Sequence, residues 1–269
     1  MWATFWDALQ EVGGRKIVII LVILSLVVGW LFTRPVNFGQ INGVSVIRQG
    51  VVNVGPYPFA VPMLLGQVTQ VSGVIWLMLM LLSGGPQFTA MLEKGWRELT
   101  FAKAAPRWQI LLERFISLNV LYYVLVIGSC LPLAFWLWWK TGVPVTGIFG
   151  AALINTFVFA SLLSSAALAS MASEGGVSLA IAAPISAWII SQLLLNREAM
   201  LYDYITSELG RRALDWMYYI LPKCAELQTA AATFVRASTL PTSWPLWTTG
   251  LFTVAMLLAT VRVLERKSF

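Results

Sequence analysis

Length, composition and charge exclude an ordinary water-soluble domain. The chain has 269 residues, of which 58% are hydrophobic and 11% are charged, and its mean hydropathy is +0.77. A soluble domain carries about 25% charged residues, so this composition predicts a polytopic membrane protein in contact with a lipid bilayer. The net charge of +6 does not indicate a nucleic-acid partner, because the basic residues flank apolar runs and form no separate basic domain.

The N-terminal segment, residues 1–14, is predicted to be an interfacial helix. Its apolar residues fall on one stripe and its polar residues elsewhere, as in helices that lie in the membrane surface. Arg15 and Lys16 then precede the first predicted span, residues 17–32. A cleaved signal peptide also places basic residues before an apolar run. The absence of an A-x-A-like site after this run favours a span.

Residues 34–58 are polar and rich in glycine and proline, so we expect an extracytoplasmic loop with short strands within 44–54. The second predicted span, residues 59–82, follows this loop. It carries Gln67 and Gln70 in an otherwise apolar stretch. Buried amides in membranes either bond a neighbouring helix or line a path for substrate, and the sequence leaves both interpretations open.

The segment 83–114, which we call the bracket, is the longest run that cannot lie in hydrocarbon, and it separates two segments that must. We expect it to be cytoplasmic. Leu92, Trp96 and Leu99 recur at helical spacing, with opposite-charge pairs on the other side. This pattern predicts a short amphipathic helix at a surface, although a solvated loop also fits it. Pro106 breaks that helix and marks the start of the next one.

Four further apolar runs are long enough to be spans, at residues 115–139, 145–171, 177–195 and 244–262. The first of these carries Asn119 and the second carries Asn155. Small residues recur every fourth position near the second of them, at Ser161, Ser165, Ala169 and Ser173. Such a face lets two helices approach closely, and the partner helix belongs either to this chain or to a second copy.

Residues 196–243 are too amphipathic for a disordered linker. We expect helical pieces that lie on the outer face or dip back between the spans, with a break at Leu221-Pro222. Basic residues concentrate in the candidate inner segments, and few occur in the short outer loops. The positive-inside rule therefore predicts that both termini are cytoplasmic. We expect a multi-pass protein of the cytoplasmic (inner) membrane. The fold class predicted is an all-α integral membrane protein with one transmembrane domain of six spans over residues 1–269.

The chemistry expected of an intramembrane enzyme or ion pump is missing from the predicted spans. Their interiors contain no Asp, Glu, Lys, Arg or His, the groups on which such proteins depend at membrane depth. No base within the spans can activate a serine, and no G-x-x-x-x-G-K-[ST] loop can bind nucleotide phosphates. Histidine is absent, and Cys130 and Cys224 form no C-x-x-C pair, which disfavours a zinc site; a disulfide requires the fold to bring them together. We therefore predict no catalytic residue, cofactor or metal in this chain.

Three motifs carry a resemblance to a known family. The first motif covers residues 95–115, GWRELTFAKAAPRWQILLERF. It is similar to a pattern in which a short helix is followed by a small-Pro-x-Arg break and then by a helix that enters span three. YYILPKCAEL (218–227) resembles a Leu-Pro element outside span five, and ATVRVLERKSF (259–269) resembles an apolar span closed by basic residues and a terminal aromatic. In their order, which covers nearly the whole chain, they resemble the permease subunit of type-2 ABC (ATP-binding cassette) exporters.

The resemblance implies that residues 91–101 form the main coupling helix, seated in a cleft on a separate ATPase subunit. The residues implied at that contact are Glu93, Trp96, Arg97 and Glu98. Arg107 and Trp108 would position the helix that transmits movement, and Glu174 would form a smaller second contact. Two other interpretations fit the same residues. The charged side chains also fit the solvent-exposed face of a helix, and the tryptophans also fit anchoring at the membrane interface.

The family assembles from two permeases and two ATPases, so the resemblance implies a homodimer with a symmetric interface. ATP and Mg would be bound by the ATPase subunits. Closure of those subunits would draw the two brackets together and release substrate outward, and hydrolysis would reset the spans. The candidate polar residues along the translocation path are Gln67, Gln70, Asn119 and Asn155.

Other functions fit the same architecture. A membrane scaffold or assembly factor needs no translocation path, and a channel or secondary carrier needs no ATPase. The absence of charged residues from the span interiors counts against the carrier, and the absence of a nucleophile and base counts against an enzyme. The polar residues of the spans suit a lipid, an amphiphilic drug, a peptide or a glycan carrier equally well, so the sequence does not identify the substrate.

Overall fold

The computed structural model describes residues 23, 27, 36–41, 44–49, 52–92, 106–173, 176–205, 207–240 and 242–266. Within these residues the chain is predominantly helical, and five helices are long and apolar enough to cross a membrane. The prediction of a helical membrane protein is confirmed at this level. The predicted interfacial helix 1–14 and the predicted first span 17–32 lie outside the described residues, apart from Ile23 and Val27, which are helical.

The candidate spans have bounds close to the predicted ones, with one large difference. They are α1 (Tyr57–Ala90), α2 (Arg107–Thr141), α3 (Gly147–Ala172), α4 (Val177–Leu195) and α7 (Trp244–Arg266). The bounds of α4 are those predicted. α2 begins directly after Pro106, as the proline indicated. α1 is the exception, because it continues to Ala90, well beyond the predicted end at residue 82.

The extension of α1 has a packing explanation. Gly84 and Gly85 suggest a helix end in the sequence, but both are buried against neighbouring helices. A Cβ on Gly85 would lie 3.0 Å from the backbone oxygen of Ala180 on α4, and one on Gly84 would lie 3.3 Å from the side chain of Leu118 on α2. These glycines let helices approach closely, so tertiary packing outweighs their low helix propensity.

A small antiparallel sheet precedes α1 and adds strands to the otherwise helical fold. Its strands are β1 (Val36–Ile41), β2 (Val44–Gln49) and β3 (Val52–Pro56), in the order β1-β2-β3. Phe38 pairs with Ile47, and the ladder shifts register at Ile47/Arg48. Ile47 is fully buried and joins the sheet to the core around α1. Strands were expected within 44–54, and the observed sheet is larger because β1 pairs with β2.

Helix α3 is the centre of the bundle, since it contacts α1, α2, α4 and α7 and the helix α6 described below. Contacts show that neighbouring spans run in opposite directions: Arg114, near the start of α2, contacts Gln87 near the end of α1, and Tyr122, further along α2, contacts Gly73 earlier on α1. One end of the bundle, which we call the bracket face, therefore holds Ala90, Arg107, Ala172 and Val177. The opposite end, which we call the far face, holds Tyr57, Thr141, Gly147, Leu195 and Trp244. The structure contains no membrane, so these names carry no orientation.

The segment between α4 and α7 folds as a helical hairpin. A π-helical stretch (Arg197–Leu201) and one helical turn (Tyr202–Tyr204) lead into α5 (Glu208–Ile220), which is followed by α6 (Cys224–Ala237). The predicted break at Leu221-Pro222 lies between α5 and α6 and is confirmed.

Helix α6 dips back between the spans. Its first residue, Cys224, lies 3.7 Å from Ser161 on α3 (Sγ to Oγ), whereas Phe234 and Val235 near its end lie against Gly147, where α3 begins. At about 1.5 Å per residue, Ser161 is about 21 Å along α3 from its start. α6 therefore starts roughly halfway along α3 and rises to the far face, which is the re-entrant alternative for this segment.

Helix α6 packs closely against glycines on α1 and α3. A Cβ on Gly147 would lie 2.7 Å from the backbone oxygen of Phe234, and one on Gly150 would lie 2.1 Å from the Phe234 ring. On α1, a Cβ on Gly66 would lie 3.0 Å from the backbone oxygen of Ala232. α6 thus packs against backbone on two spans, which is how helices associate closely where no water drives them together.

Candidate functional site

The bracket face joins the two helices that flank the predicted coupling segment. Arg114 on α2 donates from Nη1 to the backbone oxygen of Gln87 on α1, at 2.9 Å. Both residues are buried, with Arg114 only 6% exposed. A charged donor on a buried carbonyl is stronger than a neutral pair, so the ends of α1 and α2 are held to each other.

The structure locates part of the predicted coupling site. Arg107 is half-buried and Trp108 is exposed at the start of α2. Met91, where the predicted coupling helix 91–101 begins, is fully buried in the core. Glu93, Trp96, Arg97, Glu98 and Glu174 lie outside the described residues, so their roles stay predictions.

Asn155, one of the predicted path residues, is buried where α1, α2 and α3 meet. A Cβ on Gly73 would lie 3.0 Å from its Nδ2 atom, and Tyr122 donates from its hydroxyl to the backbone oxygen of Gly73 at 2.9 Å. Tyr122 also stacks on Phe159, with ring centroids 4.5 Å apart. Asn155 therefore lies in a tightly packed interior, where it fills space between helices and does not face an opening.

The other predicted path residues lie in different environments. Asn119 is half-buried and donates to the backbone oxygen of Phe115 on its own helix, at 2.7 Å. Gln67 is half-buried and Gln70 is exposed on the outward face of α1. The structure therefore does not bring the four residues into one site, and the two glutamines are the pair that shares an accessible helix face.

A cluster of ionisable residues surrounds the turn of the re-entrant hairpin. Lys223, which is 3% exposed, donates from Nζ to the backbone oxygen of Tyr218, and its Nζ lies 2.8 Å from the centroid of the Tyr218 ring. The Tyr218 hydroxyl donates to the carboxylate of Glu226.

A second group of polar side chains holds α5 to the end of α4. The Asp215 carboxylate accepts hydrogen bonds from Tyr202 at 2.7 Å and from Arg197 at 3.0 Å. These two bonds lower the pKa of Asp215, with the Tyr202 bond contributing most. The Arg197 guanidinium also lies over the Tyr218 ring, 3.8 Å from its centroid. The two groups therefore form one network, which we call the hairpin network: Arg197, Tyr202, Asp215, Tyr218, Lys223 and Glu226.

The hairpin network is a candidate functional site because it lies deep in the helix bundle. Lys223 immediately precedes Cys224, which lies roughly halfway along α3, a helix long and apolar enough to cross a membrane. The midpoint of such a helix, when it spans a bilayer, lies inside the hydrocarbon. Ionisable residues at that depth are rare and usually mark a functional site. The sequence prediction considered the spans alone and missed these residues. Their presence was signalled in segment 196–243, where equal numbers of basic and acidic residues allow ion pairs to form.

A small cavity lies beside the hairpin network, with a volume of about 10 Å³. Ser191, Lys223 and Glu226 contribute to its lining, and it has room for about one water molecule. Among the described residues, no group of three or more His, Cys, Asp or Glu side chains is placed to hold a metal ion. Cys130 and Cys224 are both free and buried.

Comparison with known proteins adds no family assignment. No protein-family model matches the chain, and no curated protein matches it at a significant level.

Proposed function

We propose that this chain is the permease subunit of an ABC exporter, driven by a separate ATPase subunit. The observation that carries the proposal is the re-entrant hairpin between α4 and α7, with the Leu221-Pro222 element at its turn. The resemblance in sequence led to a Leu-Pro element in this place, after the fifth span and before the last.

The bracket face supports the proposal mechanically. The bond from Arg114 to Gln87 ties α1 and α2 together beside the predicted coupling segment. Both are long helices, of 34 and 35 residues, and each reaches the far face. A displacement of the coupling segment would therefore move two spans as one unit, as rigid helices do between discrete packed arrangements.

The packing of the interior determines where a substrate path would run. Trp76, Tyr122 and Phe159 are almost fully buried among α1, α2 and α3 and fill the space between these helices. We therefore infer a path along the outward face of α1, where Gln67 and Gln70 lie. In the implied homodimer this face would be shared by two copies.

The experiment is affinity purification of the tagged full-length chain from its native membrane, followed by assay of Mg-ATP hydrolysis. The chain has no nucleotide-binding loop of its own, so hydrolysis in the purified sample would belong to a bound partner. Replacing Trp96 and Arg97 together by alanine is expected to remove most of the activity. Arg212→Ala, an exposed change on α5 at the other end of the bundle, is the matched control and should leave the activity unchanged.

Two results would count against the proposal. One is a purified wild-type sample that hydrolyses no ATP, which favours a scaffold. The other is export by the purified chain alone in lipid vesicles, which favours a channel or secondary carrier. The thermal unfolding temperature of each variant shows whether a loss of activity reflects loss of the fold.

A further inference from the structure

Helix α5 presents its apolar side away from the protein. Leu209, Ala213, Trp216 and Ile220 recur at helical spacing along it, so they share one face. We call this face the α5 stripe. Leu209 is 82% exposed, Trp216 is 69% exposed and Ile220 is 66% exposed. An apolar face of this kind normally packs on a core, so its exposure requires a different explanation.

The opposite side of α5 is held against the protein by polar contacts. Asp215 accepts from Arg197 and Tyr202, and Tyr218 bonds Glu226. Arg211 donates to the backbone oxygens of Ile205 and Tyr202, both at 2.9 Å. These contacts come from one side of the helix, so they fix its rotation and keep the α5 stripe outward.

The position of α5 places the stripe at membrane depth. α5 contacts α4 and α7, and its last residue, Ile220, leads directly into the turn at Lys223. The Lys223 backbone N–H donates at 3.0 Å to Thr249 Oγ1, which lies about 7.5 Å along α7 from its start. The next residue, Cys224, contacts Ser161 about halfway along α3. The end of the stripe at Ile220 is therefore deeper in the bundle than its start at Leu209.

Exposed aromatic residues mark the level of the far face. Trp138 and Trp139 lie near the end of α2, and Trp244 lies at the start of α7; all three are about half exposed or more. Tryptophans in this arrangement form the aromatic belt at a membrane–water interface. α5 leads from this level toward the middle of the bundle, so its uncovered face looks into the half of the bilayer on that side.

We propose that the α5 stripe is a lipid-binding surface that contacts the acyl chains of the far-face leaflet. Contact with water would leave the apolar side chains of the α5 stripe hydrated beside two spans, which is unfavourable. Acyl chains match the apolar side chains and the depth, and they continue the lipid contact expected for the exposed faces of α4 and α7. The proposal does not rest on the exporter function, since it concerns how the hairpin is held in the bilayer.

The test is spin-label accessibility in the full-length chain reconstituted into vesicles of phosphatidylcholine and phosphatidylglycerol. Single nitroxide labels are placed through Leu209→Cys, Trp216→Cys and Ile220→Cys. Glu208→Cys, on the polar flank at the shallow end of the same helix, is the matched control. The unsubstituted chain gives the background, because Cys130 and Cys224 are buried. Collision rates with oxygen, which concentrates in hydrocarbon, and with a water-soluble nickel chelate measure the surroundings of each label.

The expected result is a graded shift along one helix. The oxygen-to-nickel collision ratio should rise from Leu209 through Trp216 to Ile220, since these positions span about 16 Å along the axis. The Glu208 label should favour the nickel chelate. High nickel access at Ile220 would overturn the proposal in favour of a water-filled site. Protection of Trp216 and Ile220 from both reagents would overturn it in favour of a protein partner or a second copy.

Discussion

The side-chain oxygen of Gln228 on α6 accepts a hydrogen bond from the indole N–H of Trp188 on α4, at 3.2 Å. The amide of Gln192, one turn further along α4, donates to the same oxygen at 3.0 Å. Gln228 is buried, with 4% of its surface exposed. One acceptor on the re-entrant helix therefore serves two donors on a span, which fixes the position of α6 along α4.

Replacing Gln228 by leucine is expected to destabilise the protein by about 1–2 kcal/mol. Two donors would lose their acceptor away from water, and the penalty in a membrane protein is at the lower end of the usual range. Thermal unfolding in detergent measures the change. Thr233→Val removes an exposed hydroxyl from the same helix and should change the unfolding temperature little. Equal effects of the two variants would show that the Trp188–Gln228 bond does not fix α6.

The close packing of α6 against Gly147 predicts how a substitution there changes stability. Gly147→Ala is expected to cost about 1–3 kcal/mol, because its Cβ would lie 2.7 Å from the backbone of α6 and backbone cannot rotate away. Gly128 on α2 has nothing within 4 Å of a built Cβ. Gly128→Ala should therefore be neutral, or stabilising by about 0.5–1 kcal/mol through helix propensity. Similar unfolding temperatures for the two variants would contradict the close approach of α3 and α6.

The bond between Arg114 and Gln87 predicts a stability effect at the bracket face. Arg114→Met should destabilise the protein by about 1.5–3 kcal/mol, since it removes a charged donor from a buried carbonyl. Arg266→Met, at an exposed position near the end of α7, serves as the control and should change stability by less than about 0.5 kcal/mol. The comparison is made by chemical denaturation in detergent. A loss no larger than that of the control would mean that Arg114 does not clamp α1 to α2.

The sequence predicted the spans well where hydrophobic length alone decides them. α4 has the predicted bounds, and Pro106 marks the start of α2, since both depend on local chemistry. The end of α1 was misplaced because Gly84 and Gly85 have opposite meanings in a loop and in a helix contact. The contacts of these glycines with Ala180 and Leu118 cannot be read from the sequence, which by itself indicates helix-breaking residues. The pairing of β1 with β2 had a local signal in Asn42-Gly43, which favours a tight hairpin.

The hairpin network was not predictable in the same way. Lys223 and Glu226 lie in a segment that hydropathy assigns to solvent, and their depth depends on Cys224 meeting Ser161 from a distant part of the chain. The contact between Gln228 and Trp188 is also long-range. Periodicity predicts which face of a helix is apolar, but not that the apolar face of α5 points outward. That orientation follows from Asp215 and Arg211 binding the protein on the other side.

The central proposal is that this chain works as part of a complex with a nucleotide-hydrolysing partner. The most direct measurement is native mass spectrometry of the assembly extracted from its own membrane, with Mg-ATP hydrolysis assayed in the same sample. The account predicts two copies of this 29.7 kDa chain together with two copies of a second subunit and measurable hydrolysis. A chain that is found alone or only with itself, without hydrolysis, would contradict it.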